Sequence, residues 1–156
     1  MDFLLVTALT VPLRFLVGVV AAVVATLAMD VVMRRLPEGE TPPFVAAGVL
    51  TESRPDAAPA RLADVVHYLA GGLTGPLFVW LSLATEGVLG GPSLGAVLLA
   101  AGVLYVLMVG FFAVVVLPRS TVASHRLGAI RRDWALSAAG YLLVLVPLVT
   151  LGSALV

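Results

Sequence analysis

Four ionisable residues lie near the ends of two apolar segments, at spacings that can support proton chemistry. Asp30 precedes Arg34 by four residues and Asp64 precedes His67 by three, so each pair shares one face of a helix. A histidine beside a carboxylate titrates near neutral pH, which predicts a proton or metal site. The alternative is a network of ion pairs that holds the two segments together, and we favour this second interpretation.

The same residues form a sparse ligand set for a metal or a cofactor. His67 is the one histidine within an apolar segment, and zinc sites need more than one imidazole and two carboxylates. Haem held by two histidines would need His67 and His125, and His125 lies in a predicted loop. The chain has no cysteine and no glycine-rich phosphate loop. We therefore expect no cofactor, no metal and no enzymatic activity.

The composition indicates a membrane protein. Of the 156 residues, 61% are hydrophobic and 12% are charged, and the mean hydropathy is +1.13. Soluble domains are about half apolar and about a quarter charged. The formal net charge is zero, which gives no overall field to attract nucleic acid. The expected surrounding is a lipid bilayer, and nucleic acid is not an expected partner.

Four apolar runs are long enough to cross a bilayer as helices, since about 20 apolar residues span a hydrocarbon core of about 30 Å. Continuous apolar runs are typical of helices, because the strands of membrane barrels alternate. We predict one all-α domain, residues 1–156, a polytopic membrane protein with four transmembrane helices in a bundle. The predicted helices are residues 13–33, 62–85, 93–117 and 134–155, with loops 34–61 and 118–133 on one side.

The arginines predict the orientation of these helices. All nine basic residues are arginine, and eight of them lie in loops 34–61 and 118–133, whereas Arg14 lies on the opposite side. Loops that face the cytoplasm carry the excess of basic residues. Both termini are therefore predicted to lie outside the cytoplasm, N-out/C-out, in a multi-pass protein of the cell (cytoplasmic) membrane.

Three segments outside the predicted helices are also apolar in part. Residues 44–50 are too short to span, and we expect them at the interface or folded back against the bundle. Residues 120–132 fit a short amphipathic helix. Residues 3–12 either extend the first helix or lie along the outer interface. The residues expected to contact anionic lipid headgroups at the cytoplasmic face are Arg126, Arg131 and Arg132.

Small residues predict where the helices meet. Lipid supplies no hydrophobic force between helices, so side chains that allow close backbone approach mark the contacts. The first two helices carry such residues at three- and four-residue spacing, and we expect them to make the tightest contact. The predicted packing residues are Gly18, Ala22, Ala25, Gly71 and Gly75. Pro76 and Pro147, inside the second and fourth helices, are predicted to kink them rather than to line a binding site.

Three stretches in the first half of the chain carry a family resemblance. They are residues 22–33 (AVVATLAMDVVM), the pair Pro42 and Pro43, and residues 66–81 (VHYLAGGLTGPLFVWL). Together they resemble small uncharacterised prokaryotic membrane proteins of the YagU-like type, in which a Met-rich span end precedes a span with a His–aromatic pair. The usual threonine after the methionine is Asp30 here. The resemblance implies the membrane architecture and brings no activity with it.

Two functions are compatible with these features. The first is a structural or accessory component, a small bundle that forms homo-oligomers or docks on a larger membrane complex through its Gly/Ala faces. The second is a small proton-linked transporter or channel that uses Asp30, Asp64 and His67. We favour the first, because four helices make a thin wall around a pathway and no charged residue is predicted at the bilayer midplane.

Overall fold

The computed structural model describes residues 2–156, and the side chains of residues 10–156. Over this range the regular structure is helical, which confirms the predicted all-α class. The five α-helices are α1 (Asp2–Met33), α2 (Thr41–Leu50), α3 (Ala60–Leu89), α4 (Leu94–Phe111) and α5 (Leu127–Ser153). The other helical pieces are the π-helix Phe112–Val116, which continues α4, and the 3-10 turns Pro55–Ala57, Leu117–Arg119 and Ser124–Arg126.

Four helical segments are long and apolar enough to cross a membrane. Their ranges are Thr10–Met33, Ala60–Leu89, Leu94–Arg119 and Ser124–Ser153. The predicted number of candidate spans is confirmed, because α2 with its 10 residues is too short to cross. Residues 3–12 extend the first helix, since α1 begins at Asp2.

The last predicted loop is shorter than expected. α5 begins at Leu127, so residues 127–132 belong to the fourth span and not to a separate amphipathic helix. Residues 121–123 have no regular structure, and a single 3-10 turn leads from them into α5. No proline lies between Leu127 and Trp134, so nothing in the backbone stops the helix from running out of the span into the connection.

The four long helices form a ring. α1 packs against α3 and α5, and α4 packs against other parts of both α3 and α5. The most extensive contact of α1 is with α5 rather than with α3. The side chains that meet in the core are alanines along the middle of α1, methionines near its end, and mainly larger residues on the other three helices. They include Ala22, Ala25, Phe78, Leu104, Tyr141 and Leu145.

The closest backbone approach joins α1 to α3. A Cβ added at Gly75 would overlap the carbonyl oxygen of Gly18 and would lie 2.6 Å from the Cβ of Ala22. One turn away, a Cβ at Gly71 would overlap a threonine hydroxyl of α1. Four of the predicted packing residues therefore meet at one seam, and Ala25 is fully buried. The seam is tight because no side chain separates the two backbones.

α2 folds back against the bundle, which is one of the two positions predicted for residues 44–50. Pro42 and Pro43 occupy its first turn, where backbone N–H groups lack an intrahelical partner in any case. Val45 and Ala47 are fully buried. The apolar neighbours that pack with Val45 are Phe112, Leu117 and Ile130. α2 thus closes the bundle beside the end of α4.

α3 and α5 each continue through an internal proline, Pro76 and Pro147 respectively. Each proline removes one backbone donor from its helix. Two residues before Pro76, the Thr74 hydroxyl donates to the carbonyl of Ala70 at 2.7 Å. The predicted kinks stay predictions. Pro76 lies in the part of α3 that forms one wall of a cleft between α3 and α4.

Candidate functional site

Residues 34–59 and 120–126 connect the helices at one end of the bundle, which we call the arginine-rich end. A histidine–aspartate pair lies there. His67 Nε2 is 2.7 Å from Asp30 Oδ1, and the Tyr68 hydroxyl donates to Asp30 Oδ2 at 2.8 Å. Asp30 lies one turn before the end of α1 and His67 lies two turns into α3. The α1–α3 seam therefore brings them together.

The side chains of this pair are largely withdrawn from solvent. His67 is 10% exposed and Asp30 is 14% exposed. Because the carboxylate of Asp30 is an acceptor, the neutral ring carries its proton on Nε2 and leaves Nδ1 as an acceptor. Nδ1 makes no hydrogen bond with any residue that the structure describes. The pair can thus orient the ring and present one nitrogen to a further group.

The other two residues of the predicted cluster stand apart from this pair. Arg34 and Asp64 are exposed, and neither side chain forms a hydrogen bond or ion pair within residues 10–156. α1 ends at Met33, so Arg34 lies past the last turn of the helix that carries Asp30. Of the predicted cluster of four, Asp30 and His67 are bonded to each other, with Tyr68 as a partner, whereas Arg34 and Asp64 act on Tyr68 only through their charges.

A second charged cluster at the same end joins the two arginine-rich connections. Arg126 donates from Nε to Glu38 Oε1 at 2.8 Å and from Nη2 to Glu38 Oε2 at 2.9 Å. Asp133 accepts from the backbone N–H of Glu38 at 2.8 Å and from Arg132 Nε at 2.8 Å. Asp133 is fully buried, so its bonds are shielded from solvent. The cluster fastens the first connection to the start of α5.

This second cluster changes the expectation for the arginines. Arg126 is engaged by Glu38, and its guanidinium is the main reason that the pKa of Glu38 lies below its ordinary value. Arg131 and Arg132 are exposed, although Arg132 also reaches Asp133. Arg126 is therefore a link within the protein, and headgroup contact by Arg131 and Arg132 stays a prediction.

Three partners in these clusters were missed from the sequence, namely Tyr68, Glu38 and Asp133. Each had a weak signal. Tyr68 directly follows the histidine, and Glu38 and Asp133 are acidic residues placed among arginines in the predicted loops 34–61 and 118–133. Carboxylates in such a setting are the natural partners of the guanidinium groups around them.

A single ion pair lies at the opposite end of the same seam. Arg14 of α1 donates to Glu86 of α3 through Nη1 at 2.9 Å and through Nη2 at 2.6 Å. The two side chains are 14% and 15% exposed. This two-point geometry is the strong form of an arginine–carboxylate pair. The α1–α3 seam thus has the Arg14–Glu86 ion pair at this end and the hydrogen-bonded His67–Asp30 pair at the other.

Residues 91–95 (GPSLG) match the G-x-S-x-G spacing of serine hydrolases. In the structure the hydroxyl of Ser93 accepts from the backbone N–H of Ala96 at 3.2 Å and caps the start of α4. His67 and His125 both lie at the arginine-rich end, away from Ser93. Ser93 therefore acts as a helix cap, since it has no histidine beside it to activate it.

An elongated cleft lies between α3 and α4 toward the arginine-rich end. Its volume is about 420 Å³, and nearly all of its lining is apolar. Lining residues on its rim, Leu77, Leu107 and Phe111, are exposed, so the cleft opens sideways between the two helices. Pro42 and Pro43 of α2 are part of the wall toward the arginine-rich end, and the ring of His67 is part of the lining.

The interior between the two ends of the bundle is filled by packed side chains. Phe78, Leu104, Tyr141 and Leu145 are all buried there. The Tyr105 hydroxyl donates to the carbonyl of Ala135 at 3.2 Å and is not part of the cleft lining. The buried residues between His67 and the Arg14–Glu86 pair are thus mainly apolar, and the hydroxyl groups of Thr26, Ser82 and Tyr141 among them donate to backbone carbonyls.

Within residues 10–156 no group of three or more histidine, aspartate or glutamate side chains is placed to hold a metal ion. No family model, curated protein or solved structure matches the chain. The resemblance of the first half to YagU-like membrane proteins stays a prediction.

Proposed function

We propose that this chain is a structural or accessory component of the cytoplasmic membrane that associates through the outward face of α4, with a second copy or with a larger membrane complex. The observation that carries the proposal is the position of Gly102 and Gly110. No atom lies within 4 Å of a Cβ built at either residue, and Val106, between them on the same face, is 67% exposed.

In a membrane helix, glycine favours packing mainly where another helix approaches closely. Gly18 and Gly75 have that role inside the bundle, since their backbones touch. Gly102 and Gly110 are two turns apart and face away from the buried Leu104, so they leave an open groove along α4. The two glycines admit the backbone of a further helix on either side of Val106, and small residues on one face of a helix are enriched at helix–helix contacts in membranes.

The burial of the helices supports the same proposal. The most apolar stretch of α4 is 17% buried inside the bundle, whereas the corresponding stretches of α1 and α5 are each 33% buried. α4 therefore has the largest share of its apolar surface still available for contact. Lipid can cover that surface, and a partner helix covers it with better packing where glycines allow close approach.

The orientation and the lipid contacts are part of this proposal. Eight of nine arginines lie in the predicted loops 34–61 and 118–133, which favours a cytoplasmic position for the arginine-rich end and an outside position for both termini. Arg131 and Arg132, which remain exposed, are the candidates for contact with anionic headgroups.

A proton-linked carrier is the alternative, and the observation in its favour is the His67–Asp30 pair with one free ring nitrogen. Alternating access needs a polar site near the middle of the membrane. The buried residues at that level include Phe78, Leu104 and Leu145, which are apolar. The accessory function is therefore better supported.

The experiment that tests the proposal measures self-association in lipid vesicles by energy transfer between donor- and acceptor-labelled copies. The wild type is expected to show transfer that rises with the ratio of protein to lipid. Gly102→Leu combined with Gly110→Leu is expected to reduce transfer to the level of non-interacting proteins, because the leucines fill the groove. Gly87→Leu is the control, since a Cβ there also meets no atom within 4 Å.

Equal transfer in the wild type and in the α4 variant would contradict association through α4. A companion measurement of proton flux in vesicles tests the carrier. We expect the wild type to match empty vesicles, and flux that is lost in both His67→Ala and Asp30→Asn would establish the alternative.

A further inference from the structure

We propose that the cleft between α3 and α4 is a binding site for a lipid-soluble molecule with a hydroxyl head, which donates a hydrogen bond to His67 Nδ1 while its apolar tail lies along α3. Nothing in the proposed association through α4 requires this site. Three features of the cleft support this site: its shape, its opening, and the hydrogen-bonding atoms in its wall that have no partner among the described residues.

The size and the place of the cleft fit a lipid-soluble ligand. Its volume of about 420 Å³ falls in the range of about 300–1,000 Å³ that is usual for small-molecule sites, which often lie between the helices of a bundle. On α3 the lining runs from Val66 to Leu77, which corresponds to roughly 16 Å along the helix axis. The cleft therefore accepts an extended chain rather than a compact solute.

The opening of the cleft selects a ligand that arrives from the hydrocarbon. Its rim is formed by exposed side chains on the two spans, including Leu77 and Phe111. Toward the arginine-rich end, Pro42 and Ala46 of α2 contribute to the wall. A molecule dissolved among lipid tails can enter sideways between α3 and α4, and the apolar lining gives a charged solute nothing to replace its hydration.

The hydrogen-bond donors in the lining are already committed. The Tyr141 hydroxyl donates to the carbonyl of Gly71 at 2.7 Å, and Trp134 Nε1 donates to the carbonyl of Met108 at 3.1 Å. The Thr74 hydroxyl donates to a carbonyl of its own helix. The cleft therefore offers a ligand no free side-chain donor from these three residues.

His67 is the lining residue with an unused ring nitrogen. Its Nε2 is held by Asp30 at 2.7 Å, which leaves Nδ1 of the neutral ring as an acceptor. A hydroxyl group can donate to this nitrogen. A carboxylate or a ketone has no proton to donate to the neutral ring, and of the uncharged groups that can donate, the proposed head of the ligand is a hydroxyl group.

The test uses a photoactivatable long-chain alcohol with the reactive group in its tail, in vesicles that contain the full-length protein. The matched probe is the methyl ether of the same alcohol, which has the same tail and no donor. We expect the alcohol to label residues of the cleft about fivefold more than the ether at limiting concentration, since a neutral hydrogen bond contributes about 1 kcal/mol. Mass spectrometry of the peptides identifies the labelled residues.

His67→Phe keeps an aromatic ring and removes both nitrogens, so the preference for the alcohol is expected to vanish while labelling by the ether persists. Tyr68→Phe is the control, because Tyr68 also bonds Asp30 and is not part of the lining. It should keep the preference. Competition by unlabelled decanol and decylphenol distinguishes an aliphatic from a phenolic head.

Three results would overturn the proposal. One is equal labelling of the wild-type cleft by the alcohol and by its ether, which needs no variant to interpret. Another is stronger labelling by the corresponding carboxylate probe. The third is labelling spread over the outer surfaces of all four spans, which would mean that the alcohol dissolves in the bilayer without a site.

Discussion

α3 packs very differently against its two neighbours. Toward α1 it forms a seam in which Gly75 touches the backbone of Gly18, with the Arg14–Glu86 ion pair at one end and the hydrogen-bonded His67–Asp30 pair at the other. Toward α4 it is tied near the opposite end, where the Thr85 hydroxyl donates to the carbonyl of Ala96 at 3.0 Å. Toward the arginine-rich end the two helices leave the cleft between them.

Glycines on the same helix therefore differ in whether helix packing requires them. Gly75 and Gly72 are three residues apart on α3, yet a Cβ at Gly75 would overlap backbone and a Cβ at Gly72 would meet no atom within 4 Å. The residue type alone does not distinguish Gly72 from Gly75. Backbone proximity is decided by the helix that lies opposite, so only one of them is required for packing.

The largest expected effect comes from filling the tight seam. Gly75→Ala places a Cβ against the carbonyl of Gly18, which cannot move without shifting α1, and we expect a loss of about 3 kcal/mol in the free energy of unfolding. Unfolding in mixed micelles with increasing denaturing detergent measures it. The same substitution at Gly72 has open space, and its effect should stay within about 0.5 kcal/mol. Equal losses for the two variants would show that the seam is not tight.

A smaller effect is expected from the hydrogen-bonded His67–Asp30 pair at the arginine-rich end of the seam. Asp30→Ala leaves His67 and Tyr68 without their partner in a poorly exposed site, which should cost about 2 kcal/mol in the free energy of unfolding. Asp64→Ala is the matched control, because Asp64 is exposed and forms no ion pair with a described side chain. If both variants unfold alike, the pair does not stabilise the seam.

The smallest effect concerns the connection outside the seam and depends on pH. Arg126 lowers the pKa of Glu38 below its ordinary value of 4.5, so the folded state favours the charged carboxylate. The bond therefore stabilises the protein above pH 4.5, and this stability is lost as the pH falls through the lowered pKa of Glu38. We expect a contribution of about 1 kcal/mol near neutral pH.

The measurement is the free energy of unfolding near neutral pH and well below pH 4.5. Glu38→Gln should lower the stability at neutral pH and flatten its dependence on pH. Glu40→Gln, at an exposed residue whose side chain does not cap α2, should change neither. A wild-type slope that survives in Glu38→Gln would assign the effect to another carboxylate.

The contact between Asp30 and His67 could be predicted from the sequence, because it depends on how far each residue lies along its own helix. Asp30 lies near the end of one apolar run and His67 near the start of the next, so a hairpin of the two brings them to one level. The bond between Glu38 and Asp133 could not be found this way, since 95 residues separate them and Asp133 lies inside α5 rather than in the predicted loop. Their meeting depends on how α5 continues into the connection.

The sequence by itself determined the four candidate spans, the helical class and the concentration of arginines at one end, because these follow from the length and charge of continuous runs. Only the tertiary structure shows that Gly75 has no room for a side chain whereas Gly72 has. It alone also shows that Arg126 binds Glu38 and that a cleft separates α3 from α4. Each of these depends on which helix lies opposite, and contacts between distant segments leave no periodic pattern in the chain.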